Sequence, residues 1–362
     1  MRTTFRLLLR FLLAVLVLLF GLGYACRHLP PEWFWWTGPV AVFLPLLALL
    51  LLPAIAWYLP RAAWQGAAPT ALGWGVLLVL IGVRFGPNWT VPYQPASAKA
   101  PALRVMSYNA PVHGPHPDSL AQRTVALVQQ AQPDLLGLQE PWLRLTKRRT
   151  VAGAPHLQAL LRRTDLRPTP ALRPRERIRQ PVLARIPLTA YKTYILGTDS
   201  LFAETVATRT TVRWQGRRLA VYNVHLNTVS PSKPWRAALT RMLNGTFWWE
   251  AIETYRQAML RRAREARVLR DLIAHEPLPV IVLGDFNSTR HHWAYHHVAE
   301  GLRDAYTIAG RGWGGTYPAT WPLVRIDHIL VSKALRVQGA RVLPTYGYSD
   351  HRPVVAELVW HK

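Results

Sequence analysis

Six short stretches set acids, amides and imidazoles at or beside runs of β-forming residues. They are Ser107-Tyr108-Asn109, Leu138-Gln139-Glu140, Asn223-Val224-His225-Leu226-Asn227, Gly284-Asp285-Phe286-Asn287, Ile326-Asp327-His328 and Ser349-Asp350-His351. Their side chains favour one kind of chemistry. A cluster of carboxylates, amides and imidazoles suits a hard metal ion and a phosphate. An imidazole held by a carboxylate serves as acid or base near neutral pH. Strand ends are also where an α/β fold brings residues distant in sequence into one pocket.

Taken singly, the stretches differ in weight. Glu140 ends a buried strand and is followed by Pro141. A carboxylate there is costly unless it is ion-bound or faces solvent. Asn109 alone reads more readily as a turn residue. Asp285 and Asn287 lie two apart, on one side of an extended backbone, where they would bridge one ion or phosphate oxygen; an Asx-turn is the structural alternative. His225 and Asn227 repeat that spacing. The adjacent pairs Asp327-His328 and Asp350-His351 face opposite ways in extended chain, so their working partners must come from other strands. His291, His292, His296 and His297 have helical spacing but no nearby acid or cysteine, and read as a solvated helix face.

The elements that must position these residues follow from periodicity. Strands are expected over 103–108, 134–139, 202–214, 217–226, 279–283, 325–332, 339–343 and 354–360, with a turn at Gln215-Gly216. The clearest helix runs over 255–273. Tyr255, Met259, Arg262/Ala263, Ala266, Leu269 and Ile273 share one face, while five arginines with Glu265 and Asp271 occupy the others. Many strands and fewer helices in about 260 residues imply two packed sheets covered by helices.

The first 90 residues are different: Glu32 is their only acid. Apolar stretches at 7–24 and 34–59 are long enough to cross a bilayer, which needs about 20 residues. The stretch at 71–83 must recruit Pro69, Thr70, Phe85 or Gly86 to do so. Arg2, Arg6 and Arg10 favour a cytoplasmic N-terminus. Three spans then place the large domain outside the cytoplasm, and two would leave it inside. Trp33, Trp35, Trp36, Trp57, Tyr58 and Trp64 fall near the ends of apolar runs, as interfacial anchors do. A cleaved signal peptide fits less well, because Arg27-His28-Leu29-Pro30 lacks small residues for cleavage. Cys26, the single cysteine, resembles a lipidation site only loosely and forms no intrachain disulfide. Proline-rich 87–102 reads as a linker, giving a membrane anchor over 1–86 and a catalytic domain over 103–362.

The six motifs, in this order over 103–359, resemble the endonuclease/exonuclease/phosphatase superfamily of deoxyribonuclease I-like phosphohydrolases. The pair Gly284-Asp285-Phe286-Asn287 and Ser349-Asp350-His351 is its most specific signal. The resemblance implies a four-layer α/β/β/α sandwich, here preceded by about three transmembrane helices. It also implies hydrolysis of phosphate esters with a divalent cation, Mg²⁺ or alternatively Mn²⁺. Carried over residue by residue, Glu140 would be the main metal ligand, with Asn109 and Asp350. His351 would act with Asp327 at the scissile phosphate, and Asp285 would activate water or protonate the leaving group. Asn287 would position Asp285 or the phosphate, while His225 and Asn227 would hold phosphate oxygens. Two features depart from the family pattern: the stretch 178–185 lacks the usual glycine, and Glu176 is the sole weak candidate for an acid partner of His225.

The formal net charge is +25, and only six of the 44 basic residues are lysine. Such a field attracts nucleic acid or anionic membrane, although heavy arginine use also reflects base composition. The segment 231–250, with Trp235, Phe247, Trp248 and Trp249, reads either as a membrane-dipping or gating loop or as a packed excursion. The expected protein is therefore a membrane-anchored, extracytoplasmic phosphodiesterase or nuclease. A lipid-directed, sphingomyelinase-like enzyme or phosphatase is the alternative, and an inactive tethered binding module the alternative of another class.

Overall fold

The computed structural model describes residues 2–86, 88, 101–110, 117–145, 151–153, 155–168, 177–198, 204–229, 245–347 and 349–361. Most of the expected linker, Glu176 and residues 230–244 of the aromatic segment lie outside them. Helices α1 (Arg2–Ala25), α2 (Pro31–Phe34), α3 (Thr37–Val42), α4 (Leu44–Trp64) and α5 (Ala68–Phe85) form the N-terminal part. Strands then follow as β1 (Leu103–Asn109), β2 (Leu135–Gln139), β3 (Trp142–Leu145), β4 (Val151–Gly153), β5 (Arg177–Arg179), β6 (Val182–Ala184) and β7 (Leu188–Thr198). The second half contributes β8 (Glu204–Trp214), β9 (Arg217–His225), β10 (Val280–Asp285), β11 (Arg303–Asp304), β12 (Asp327–Val331), β13 (Leu335–Val342) and β14 (Val354–Trp360).

The strands build a five-stranded sheet, β13-β14-β1-β2-β6, and a six-stranded sheet, β11-β12-β10-β9-β8-β7, with a small third sheet beside them. Strict alternation explains how the two large sheets pack. Leu103 and Val105 of β1, Leu135 of β2, Leu219 and Val221 of β9, and Ile281 and Leu283 of β10 meet in the buried layer between them. The opposite faces carry Met106, Tyr108, Leu136 and Leu138 under helices Pro117–Ala131 and Pro155–Arg163. Tyr222, Val224, Val280 and Val282 lie under helices Gly245–Ala274 and Trp293–Val298. The result is the expected α/β/β/α sandwich. Gly137 is required by the closeness of the sheets, since a Cβ there would lie 1.9 Å from the Leu283 side chain. Gly284, at φ +150, has the Val224 carbonyl in the same position.

Three helices are long and apolar enough to cross a membrane: 3–28, Leu44–Trp64 and Ala68–Phe85. The second begins at Leu44, because the apolar stretch from 34 is broken into α2, α3 and α4. The third does recruit Pro69, Thr70 and Phe85. The connection between α1 and α4 and the end of α5 both dock on the sandwich. Glu32 pairs with Arg267 at 2.7 Å, and Arg84 Nε donates to His291 Nδ1 at 3.0 Å. Asn88 Nδ2 donates to the Tyr306 carbonyl at 2.9 Å.

This docking corrects the reading of the histidine tract. His291 and His292 are buried, not solvated. His292 Nε2 lies 3.2 Å from the Gly38 carbonyl, and the His296 ring meets His28 edge-on at 4.8 Å. The partners come from a segment some 250 residues earlier, beyond the reach of local pattern.

Candidate active site

The alternation that builds the core also builds the site. Along β9 the inward positions run Leu219, Val221, Asn223, His225; along β10 they run Ile281, Leu283, Asp285. β1 continues inward from Leu103 and Val105 to Ser107 and Asn109, while β12, running the other way, opens on Asp327 before Ile329 and Val331. Each strand is thus apolar at one end of the sandwich and polar at the other. Pairing sets Asp285 beside both His225 and Asp327.

Asp285 is the hub, buried at 1% exposure. Its Oδ2 accepts from Asn109 Nδ2 at 3.0 Å and lies 3.5 Å from His225 Nε2 and 3.7 Å from His351 Nε2. Its Oδ1 accepts from the Asn287 amide at 2.8 Å. Burial opposes its charge, but His351, His225 and these two donors outweigh burial and hold the carboxyl below its ordinary range.

His351 Nδ1 lies 2.9 Å from Asp327 Oδ2, and its Nε2 lies 3.9 Å from Asp350 Oδ1. Burial pulls its pKa down, yet Asp327 and Asp285 raise it to about 10. Its backbone amide donates to Ser349 Oγ, whose hydroxyl donates to the Asn109 carbonyl, tying β14's approach to the end of β1. The Tyr317 ring stands 5.0 Å away.

Glu140 closes β2 at φ +72, a conformation costing of order 1–2 kcal/mol for a residue with a Cβ. The residue is exposed, but its carboxyl is crowded by the site. Desolvation raises its pKa, opposed by His225 and His351 and by a hydrogen bond from Asn109, while Asp285 adds to the rise.

Two expected residues sit differently from the sequence reading. Asn287 is not extended; it turns at φ +45, and its Nδ2 donates to the Leu226 carbonyl at 2.9 Å. It therefore pins the end of β10 to the end of β9 and supports Asp285 through its backbone amide. Asn227 donates its backbone amide to Glu265 Oε2 at 2.8 Å, and its side-chain oxygen is buried without a partner among the described residues. Asn223, beside them in sequence, serves the fold: its Nδ2 donates to the carbonyls of Leu138, Gln180 and Pro181 across the sheets.

Glu265 is the residue that the sequence reading missed. Assigned to the faces of its helix away from the apolar one, it is buried at 3%, beside Asn227 and near His225, with burial raising its pKa. The available signal was the spacing of Ala258, Arg262, Glu265 and Leu269, which share one buried stripe.

The donor set fits a divalent cation. One ligand atom each from Asp285, Asp327 and His351 lies within 4.8 Å of the others, and Asp327 Oδ1 is buried without a partner among the described residues. The oxygens of Asn109, Glu140 and the aspartates are harder donors than an imidazole nitrogen and so suit such a cation better.

Comparison with known proteins agrees with this geometry. The sequence model of the endonuclease/exonuclease/phosphatase family matches residues 106–351. The chain belongs to that family, whose members hydrolyse phosphoric esters. An uncharacterized protein YbhP of Escherichia coli K12 is 38% identical over 110 residues, which is 29% of this chain and 42% of that protein. The chain thus aligns with under half the length of this curated relative. A functionally unknown conserved protein from Enterococcus faecalis V583 superposes with a TM-score of 0.51 at 16% identity, over 71% of this chain and 100% of that one. A mannosyl-6-phosphatase of Bacteroides thetaiotaomicron does so at 0.50 and 19% identity, over 71% and 100%. At such identities the superpositions speak for the family fold alone.

Proposed function

We propose that this chain is a membrane-anchored, extracytoplasmic phosphodiesterase that depends on a divalent cation, with Mg²⁺ the preferred ion. The observation that carries the reading is the convergence on Asp285 of His225, His351 and Asn109, with Asp327 behind His351 and Glu140 at the rim. Glu140, Asn109 and Asp350 would hold the cation beside the converging ligand atoms of Asp285, Asp327 and His351, and it would supply charge neutralisation at the phosphate.

The remaining roles follow from the contacts. Asp285, kept ionised, accepts the proton of the attacking water. His351, kept protonated by Asp327, offers its Nε2–H to a phosphate oxygen and stabilises the charge that develops there. His225 and Asn227 flank the opposite wall and orient the phosphate. Asn287 fixes Asp285, and Glu265 fixes the backbone of Asn227. The strained φ of Glu140 fits a residue held for ligation.

Two observations support the location. The α1–α4 connection and the end of α5 meet the sandwich together, as required if an odd number of spans puts all three on one side. Arg2, Arg6 and Arg10 at the far end of α1 favour the cytoplasm for that end.

A substrate at the membrane surface is the second reading, favoured by one feature. The loop that sets Tyr317 against His351 and donates the Ala319 amide to the Asp350 carbonyl also exposes Trp313, Trp321 and Leu323. Full-length protein in detergent, assayed on plasmid DNA and on phospholipid vesicles with Mg²⁺ or EDTA, tests both. Metal-dependent cleavage lost in Glu140→Ala and His351→Ala is expected; full activity in either variant would refute the site. A C-terminal periplasmic reporter active only in the cytoplasm would refute the topology.

A further inference from the structure

A cavity lies away from the catalytic residues, where the apolar helices meet the sandwich. It encloses about 490 Å³, within the range of roughly 300–1,000 Å³ common for small-molecule sites. Leu49 and Leu52 of α4 and Ile81 and Phe85 of α5 form one wall. Arg290 and His291 of the sandwich form the other, with Arg325 alongside. One wall is hydrocarbon and the other is basic.

The charge on the basic wall is not balanced from within. Arg325 pairs with Asp304 at 2.9 Å. Arg290 donates only to neutral oxygens of Asn88, Thr307 and the Arg84 carbonyl. Arg84, buried at 8% exposure, donates to His291 and to the Arg290 carbonyl. Among the described residues, neither Arg84 nor Arg290 has a carboxylate partner, so three guanidiniums face one acid. Burial, with Arg84 and Arg290 nearby, keeps His291 neutral and adds no counter-charge. Buried cations without anions are costly, and an anionic ligand removes that cost. Trp313 and Leu323, exposed beside the opening, are of the type found at headgroup depth.

We infer that this cleft binds one anionic phospholipid, its phosphate against Arg290 and an acyl chain along Leu49, Leu52 and Ile81. The inference rests on the membrane reading of α1, α4 and α5, which is tested separately by retention in the membrane pellet through an alkaline carbonate wash. The bound lipid would brace the anchor against the sandwich, because its two ends touch the two parts.

Thermal unfolding of the delipidated full-length protein in detergent, with phosphatidylglycerol, phosphatidylcholine or glycerol phosphate added, decides the matter. Phosphatidylglycerol is expected to raise Tm by about 5 °C, and the other two by much less. Arg290→Gln should abolish the difference and Arg290→Lys should restore most of it. Leu52→Trp fills the apolar wall from a partly exposed helix position, leaves every arginine in place, and should abolish it too. Equal shifts with both lipids would overturn the inference, as would a full response in Leu52→Trp. A shift reproduced by glycerol phosphate would overturn it in favour of a soluble anion site. If Arg290→Gln fails to fold, the Leu52→Trp result stands alone. Loss of the wild-type protein in the carbonate wash refutes the membrane reading instead.

Discussion

Strand β12 begins with two buried neighbours, Asp327 and His328, that face opposite sides of the same sheet. Each joins a constellation of the same residue types. On the inner face, Asp327 holds His351, which lies against Asp285. On the outer face, His328 Nδ1 lies 3.5 Å from Asp304, which also takes Arg325 at 2.9 Å, the Tyr295 hydroxyl at 2.5 Å and the Thr307 amide at 2.9 Å. His328 Nε2 completes its set at the Ser288 carbonyl, 2.9 Å away. The outer cluster thus closes on its own partners, whereas the inner one leaves Asp327 Oδ1 and Asn227 Oδ1 buried with no partner among the described residues. Residue type and burial do not separate structure from chemistry here; unspent hydrogen-bonding capacity does.

The comparison is most sharply tested on the inner face. Asp285→Asn keeps the shape and removes the charge proposed to receive the water proton. Its kcat per folded molecule is expected to fall by about 10²–10⁴-fold, far more than any accompanying loss of stability accounts for. A variant that unfolds readily but turns over normally would move Asp285 into the structural class.

The outer face should give the reverse. Arg325→Met leaves Asp304 charged and buried without its cation, a loss of about 3–5 kcal/mol in denaturant unfolding. Specific activity of the folded fraction should persist. Unchanged stability would mean that the Tyr295 and Thr307 donors satisfy Asp304 without Arg325.

Acid titration makes a smaller and directional distinction. Burial disfavours the Asp304 carboxylate, but Arg325 and His328 hold its pKa well below the ordinary 3.8. A depressed carboxyl contributes stability that is fully present above the unfolded value and is lost as pH falls below it. The stability gap between wild type and Asp304→Asn should therefore be flat from neutral pH to near 4, then shrink by about 1.4 kcal/mol per pH unit. A gap that stays constant down to pH 2 would contradict the depressed value.

The sequence discloses these two constellations unequally, for a physical reason. The inner one is written in period two: Leu219, Val221, Asn223, His225 and Ile281, Leu283, Asp285 change from apolar to polar along one face, so strand pattern alone locates the site. Two backbone details escape that pattern. Asn287 leaves the strand at φ +45, and Asn223 shares the site's stretch but spends its amide on the opposite sheet. The outer constellation has no local signature, because Asp304, Arg325 and His328 meet only through tertiary packing. The same holds for His291 and His292, whose partners lie in the N-terminal helices. The two-sheet core and the three apolar helices were legible in outline, since both depend on periodicity and length, but the edge strand β7 and the break that starts α4 at Leu44 were not.

Glu265 falls between the two classes, and so gives the finest test. Like Asp304, its carboxylate has donors, the Asn227 amide and the Thr205 side chain; like Asp285, it stands near His225. If Glu265 acts by holding the Asn227 backbone, an amide side chain retains most of that function. Glu265→Gln should then lower kcat by about tenfold or less. Glu265→Ala leaves the Asn227 amide without an acceptor, and should cost more in both kcat and stability. If the charge itself were needed, to bias the His225 imidazole, the two variants would lose activity equally and Gln would rescue only stability. Measuring both properties in both variants therefore separates a positioning contact from an electrostatic one at a single residue.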